Sequence, residues 1–356
     1  MRVLVTGASG NIGSAVLADL ARHPDIRVTA VARRLPDRVP PFDSADWVPL
    51  DLTATGAVDE LTARLQGVSA IVNLVWGFQP MSDEKRLADV GVGSLRTVLA
   101  AAQRAGVGHV VQFSSVGAYA PPSVPGAAVD ENWPTTGVPS SEYSRHKVAA
   151  EELMDEHDGR GDGPLLTRIR PGLVMQRSAA SALLRYGAPA WFPRWALDLL
   201  FVLPLAPGLQ VPVVYARDVA AAVSQVVLRG AGGAFNLAAP TPLTDELLAS
   251  ALHAARIPVP LPALRALVDV SYRLRLQRVE PGWLDLAYGA PLLDTSRAAQ
   301  ELDWAPTRDA DQILRELISG LRDGASGPSP VLRPRTVAGE LRDRQRSGAI
   351  TRRRES

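Results

Sequence analysis

Short runs of Val, Ile and Leu alternate with longer Ala-rich stretches over the first two thirds of the chain. The runs "RVLVTG", "RVTAVAR", "ADWVPLDL", "SAIVNLVW", "HVVQFSS" and "LLTRIRPG" have the length and β-branched content of buried strands. Between them, "NIGSAVLADLARH" (Asn11 to His23) and "GSLRTVLAAAQRAG" (Gly93 to Gly106) read as helices. Strands and helices in strict alternation predict an α/β fold, a doubly wound parallel sheet with helices on both faces. After Pro171 the rhythm changes, and prolines and tryptophans crowd Pro189 to Pro212, which predicts a smaller lobe on the carboxyl edge of the sheet. There is no internal repeat. The boundaries drawn from this pattern are a sheet domain over 1–175, to which 210–240 returns, and a lobe over 176–324. A disordered Arg-rich tail over 325–356 completes the chain.

Length and composition sharpen this picture only in places. A chain of 356 residues exceeds one ordinary core, in keeping with a sheet domain plus a lobe. The formal net charge of +1 calls for neither nucleic acid nor an anionic membrane. The tail is the exception, with eight arginines against three acids from Arg333 onward. No cysteine is present, which excludes disulfides, thiolate metal sites and thiol nucleophiles and suits a cytoplasmic protein. The chain runs directly into "RVLVTG" with no signal peptide in view. The most apolar run, "WALDLLFVLPLAP", is too short to span a bilayer and is broken by Asp198 and Pro204.

Three local features carry chemistry. "VTGASGNIG" places Gly7, Gly10 and Gly13 between the first strand and the first helix. In that context Gly7 makes the tight turn, Gly10 admits a pyrophosphate and Gly13 lets the helix pack against the strand. Ser9, Asn11 and Ile12 complete this loop, and the helix N-terminus offers N–H groups and partial positive charge to phosphate. At the end of the second strand stand Arg33 and Arg34 rather than the acid that meets a free ribose 2′-hydroxyl, which favours NADP over NAD. Asp51 and Leu52, after the third strand, are placed to contact the adenine. In "SSEYSRHKVAAEEL", Tyr143 and Lys147 are four apart and share one face of a helix. A neighbouring ammonium and a positive nicotinamide favour a phenolate, bringing a tyrosine into range for proton transfer. Ser115, at the end of "HVVQFSS", is the hydroxyl that could hold a substrate oxygen beside Tyr143.

Taken together, these residues resemble the extended short-chain dehydrogenase/reductase family, the NAD(P)-dependent epimerase/dehydratase-like group. The resemblance runs from Met1 to about Arg322. It rests on "VTGASGNIG", "FSSVGAYA", "YSRHKVAAEEL", "RIRPG", "ARDVAAAVSQVVLRG" with "GGAFNLAAP", and "DTSRAAQELDWAP". It implies a Rossmann-type fold and an NAD(P)-dependent enzyme in which Tyr143 is the general acid/base. Lys147 would lower the tyrosine's pKa and bond the nicotinamide ribose, and Ser115 would position the reacting oxygen. Leu74, Val75 and Pro171 would lie along the cofactor, and related chains pair as homodimers through the Tyr-Lys helix.

Departures from the family narrow the chemistry. Where dehydratases carry Asp-Glu after the catalytic hydroxyl, this chain has Val116 and Gly117. The polar residues that clamp nucleotide sugars are replaced in "RPGLVMQRS" and at Val211. "NLVWGF" puts the bulkier Val75 and Trp76 where small residues are usual, and Gly91 stands in place of an asparagine. The lobe's Tyr186, Trp191, Phe192 and Trp195, with Leu199, Leu200, Phe201 and Leu203, form either an apolar pocket wall or simply the lobe's core. His109, His146, His157 and His253 lack metal-ligand spacing and read as surface or helix residues; no metal is expected. Asp218 reads as a helix cap and Asp294 as a helix start. The expected function is an NADP-dependent oxidoreductase interconverting a small, largely apolar alcohol and carbonyl. The alternatives are an epimerase that retains its dinucleotide and a non-catalytic NADP-sensing scaffold.

Overall fold

Seven strands form one parallel sheet: β1 (Arg2–Thr6), β2 (Arg27–Ala32), β3 (Asp46–Pro49), β4 (Ala70–Asn73), β5 (His109–Phe113), β6 (Leu165–Pro171) and β7 (Gly233–Leu237). Their order across the sheet is β7-β6-β5-β4-β1-β2-β3, with every neighbouring pair parallel. The strand order reverses between β1 and β4, which opens a crevice at their carboxyl ends. The computed structural model describes residues 1–77, 84–182, 201–274, 277 and 279–333.

The helices lie on both faces because alternate strand residues point to opposite sides. Val3, Val5, Ala30, Val72, Val111 and Ile169 pack against α1 (Asn11–Leu20) and the later helix Ala216–Arg229. Leu4, Val31, Ile71, Val110 and Leu166 face α2 (Ala57–Arg64), α3 (Ser94–Ala105) and α4 (Glu142–Arg160). Helix α4 begins where the Ser141 side chain accepts a hydrogen bond from the Ser144 N–H, and ends at Gly161 in the left-handed region. With the helix Ala216–Arg229 as α5, β7 follows it back to the sheet edge.

The remaining elements build a second, smaller core from Met175, Val213, Tyr215 and Leu243 with Ile313, Leu314, Leu317 and Ile318. Here α6 (Leu261–Arg273) and α7 (Pro281–Gly289) precede α8 (Ala310–Asp323), which opens with a capping box between Asp309 and Gln312. Strand Val202–Leu205 pairs with Ala255–Pro258 and leaves Phe201 exposed. Tyr186, Trp191, Phe192, Trp195, Leu199 and Leu200 lie outside the described residues.

Three sequence expectations are corrected by the packing. The tail does not start at 325: Ser329 and Leu332 are buried, and the Ser329 hydroxyl donates to the Ser9 carbonyl at 2.7 Å. From 334 onward the tail lies outside the described residues. His109 is a buried strand residue, its ring nitrogen 2.7 Å from Thr167 Oγ1, and burial pushes its pKa down. Asp218 is not a cap, since its carboxylate accepts from the Thr307 N–H and hydroxyl at 2.9 and 2.6 Å and so ties α5 to the segment before α8.

Candidate active site

The residues selected for catalysis and for the dinucleotide gather toward the carboxyl edge of the sheet. Gly7 turns with φ of +66°, and a Cβ there would come within 2.8 Å of the Leu74 carbonyl carbon, so β1 and β4 approach as closely as backbone permits. At Gly10, by contrast, a Cβ would meet Gly7 O alone among the described residues, at 3.2 Å. Helix α1 then starts with neither a side-chain cap nor an acid in its first turn. Backbone open on one side of a helix N-terminus with no competing carboxylate fits a pyrophosphate. At Gly13 an added Cβ would lie 2.5 Å from the carbonyls of Gly7 and Ala8, so this glycine lets the helix start close against the turn that leaves β1. Asn11 is held by its side chain to Val174 O at 3.0 Å and by Gln176, while Ile12 packs against the sheet core.

Arg33 and Arg34 are exposed at the end of β2, and the Arg33 guanidinium stands 3.9 Å from the Asp51 carboxylate. Burial alone would raise the Asp51 pKa, but hydrogen bonds from Thr53 and the charges of Arg33 and Arg86 outweigh it and hold the carboxyl below its ordinary value. Leu52 is buried, its carbonyl bonded by Thr97 at 3.0 Å.

A row of buried polar groups crosses the sheet beneath the second half of the site. The Thr6 hydroxyl donates to Asn73 Oδ1 at 2.5 Å, Asn73 Nδ2 to Gln112 Oε1 at 2.6 Å, and Gln112 Nε2 to the Phe113 carbonyl at 3.0 Å. That carbonyl also accepts from Lys147 Nζ at 3.0 Å, so the row fixes the lysine from β1 through β5 to α4. Ser115 Oγ accepts from the Gly117 N–H at 3.0 Å and shares a hydrogen bond with the Tyr143 side chain. Pro171 is buried at the end of β6, with Leu74 and Val75 at the end of β4. The structure thus brings Ser115, Tyr143 and Lys147 to one edge.

Burial dominates the electrostatics of the pair in the free chain. Burial pushes the half-covered Tyr143 phenol up to about 12, with the Ser115 hydrogen bond opposing. Burial also drives Lys147 well below the ordinary lysine range, with the Glu151 charge opposing. Lys147 Nζ stands 5.7 Å from the phenol ring centroid but only 3.3 Å from that of Trp76. In the free chain burial is thus the leading influence on both groups.

A sequence profile of the NAD dependent epimerase/dehydratase family matches residues 3–238. The chain belongs to that family. Among curated relatives, an uncharacterised protein of Mycobacterium tuberculosis is 24% identical over 328 residues, which is 90% of this chain and 30% of that protein. The chain therefore spans about a third of the length of that relative. The sterol demethylase protein B of Methylococcus capsulatus is 33% identical over 157 residues, 42% of this chain and 45% of that protein. The fold matches a UDP-glucose 4-epimerase of Stenotrophomonas maltophila with bound NAD at TM-score 0.68 and 18% identity, covering 91% of this chain and 98% of that one. A dTDP-glucose 4,6-dehydratase of Streptomyces venezuelae matches at TM-score 0.66 and 20% identity, over 91% and 97%.

Within this family of dinucleotide-dependent enzymes, the aromatic neighbourhood of Tyr143 is what sequence reading did not assemble. Trp283 of α7 lies 5.0 Å from the phenol, centroid to centroid, and Trp76 meets its edge at 6.3 Å. Gly117 allows this packing, since a Cβ there would lie 3.1 Å from the phenol ring and 3.5 Å from Leu286. Sequence reading also passed over Asn73, an amide closing the apolar run Ala70–Asn73, and Gln112, an amide between Val111 and Phe113 in a buried strand, and both are usable signals. Trp283 carried no local signal, being 140 positions from Tyr143. Among the described residues no helix is long and apolar enough to cross a membrane, and no group of His, Asp and Glu could hold a metal ion.

Proposed function

We propose that this chain is an NADP-dependent oxidoreductase that interconverts a small, largely apolar alcohol and its carbonyl. The observation that carries this reading is the hydrogen-bonded Ser115–Tyr143 pair with Lys147 pinned beside it at the carboxyl edge of the sheet. Ser115 Oγ and Tyr143 Oη hold the carbonyl oxygen, and Tyr143 gives it a proton as charge develops there. The dinucleotide, when bound, supplies or accepts the hydride at the adjacent carbon. In the reverse direction Tyr143 acts as the phenolate, held in that form by Lys147 with the dinucleotide bound, takes the hydroxyl proton and returns to the neutral phenol.

Gly7, Gly10, Asn11, Ile12 and Gly13 would hold the pyrophosphate, with Asp51 and Leu52 at the adenine. Exposed Arg33 and Arg34 support a 2′-phosphate, because a guanidinium fork binds phosphate oxygens in pairs. The apolar substrate is supported by the Trp76, Trp283 and Leu286 surroundings of Tyr143. The likeness to a protein named for sterol demethylation points the same way.

The test is turnover of NADPH with a panel of aliphatic and aromatic ketones, alongside dinucleotide affinity. Tyr143→Phe should lower kcat by about 10²–10⁴-fold and leave dinucleotide binding unchanged. Arg34→Ala should weaken NADP but not NAD. Full turnover by Tyr143→Phe would remove the proton-transfer assignment.

A further inference from the structure

Lys147 is closed on both sides. Its Nζ donates to the Phe113 carbonyl at 3.0 Å, and the face of the Trp76 indole covers the other side at 3.3 Å, leaving the residue 2% exposed. The indole has its own seat. A Cβ on Gly91 would lie 3.1, 3.2 and 3.3 Å from three indole ring carbons, tighter than ordinary contact, so a larger residue there would push the ring out of this position. Gly91 belongs to a single π-helical turn, Asp89–Gly93, leading into α3. Trp76 itself stands in the non-helical stretch that follows β4, and it is only half-buried. Bulky ring, glycine seat and buried amine form one matched unit at the place where the site's lysine must meet a ligand.

We propose that Trp76 is a movable cap on Lys147, seated on Gly91 in the free protein and displaced when the nicotinamide ribose of a dinucleotide takes up the lysine's remaining hydrogen-bonding capacity. This rests on the dinucleotide reading of the site. The cap replaces hydration: an amine that water cannot reach is covered by the negative face of an aromatic ring until a ribose hydroxyl arrives. Displacement carries the indole away from Lys147 and opens the lysine to the reaction. Because the capped state must open first, the cap lowers apparent affinity for a whole dinucleotide in proportion to its population. A fragment holding only the adenosine half never reaches Lys147 and does not sense the cap.

The experiment titrates NADP⁺ and 2′,5′-ADP, with NAD⁺ and ADP as the pair lacking the 2′-phosphate, into wild type, Trp76→Ala and Gly91→Ala. Binding is followed by calorimetry, and folding is checked by thermal unfolding. Trp76→Ala should bind the whole dinucleotide about tenfold more tightly, the loss of one cation–π contact, with fragment affinity unchanged. Gly91→Ala, which unseats the ring without removing it, should shift the same way by less. Wild-type tryptophan emission should change with the dinucleotide and not with the fragment, and Trp76→Phe should lose that change. Dinucleotide affinity that is unchanged or weaker in Trp76→Ala, or a fragment that tightens equally, overturns the cap and leaves the dinucleotide reading standing. If neither dinucleotide nor fragment binds any of the three proteins, the dinucleotide reading falls and the cap falls with it.

Discussion

A lysine 2% exposed, with its ammonium disfavoured by burial, is a local cost to folding at neutral pH. Its folded pKa lies below the unfolded value of 10.5, so its contribution to stability is full above pH 10.5 and is lost as the pH falls toward the folded value. Lys147→Met keeps the side chain's length and removes the charge. It should therefore raise the melting temperature at pH 7 by about 2–4 °C while abolishing turnover, and the gain should shrink as the pH approaches 10.5. Thermal unfolding of both proteins from pH 7 upward checks this. Tyr143 has the opposite sense: its folded pKa of about 12 exceeds the ordinary 10.0, so its contribution holds below pH 10 and is lost above it.

At the scale of elements, the join between α4 and β6 sets where Tyr143 and Lys147 stand. Glu151, one turn beyond Lys147 on α4, accepts Arg170 Nε at 2.8 Å and its terminal nitrogen at 2.9 Å, and both side chains are buried. Arg170 also donates to the Tyr119 hydroxyl at 3.0 Å, and that hydroxyl donates to Asn236 Oδ1 at 2.8 Å on β7. Burial would raise the Glu151 pKa, but its bonds and charge pairing with Arg170 win and hold it below its usual value. The stability that this pairing adds is present above the unfolded carboxyl pKa of 4.5 and is lost as the pH falls through the folded value. Glu151→Leu leaves the Arg170 charge buried and unpaired, and urea unfolding should show a loss of about 3–5 kcal/mol. Restoring stability with Arg170→Met in the same chain would identify the unpaired charge as the cause.

Over the whole molecule, the segment 325–333 joins the far end of the chain to its first turn. Beyond the Ser329 bond to Ser9, Arg333 pairs with Asp37 at 2.6 Å, and Leu332 packs against Ala179 and Ala182. Leu332→Ala should lower stability by about 2–4 kcal/mol in denaturant unfolding. It should also speed hydrogen exchange at the amides of the Gly7–Gly13 turn, because that turn is one of the surfaces the segment covers. Exchange unchanged there would mean that the segment stabilises the lobe without bracing the turn.

The sequence by itself determined what depends on local spacing. A strand–helix period sets the wound sheet, a strand–glycine–helix succession marks the phosphate turn, and a four-residue interval puts Tyr143 and Lys147 on one helical face. Ser115 could be added because it ends a strand, and strand ends in such a sheet converge. Only the tertiary structure decided what depends on packing between distant segments. It set the Trp76 indole on Gly91 and over Lys147, drew Trp283 to Tyr143, linked Thr6 to Lys147 through Asn73 and Gln112, and packed residues 325–333 against Ser9. The same packing made burial the leading influence on both Tyr143 and Lys147 in the free chain. Spacing places two side chains on a face, but burial decides which protonation state each prefers, and burial is a property of everything folded around them.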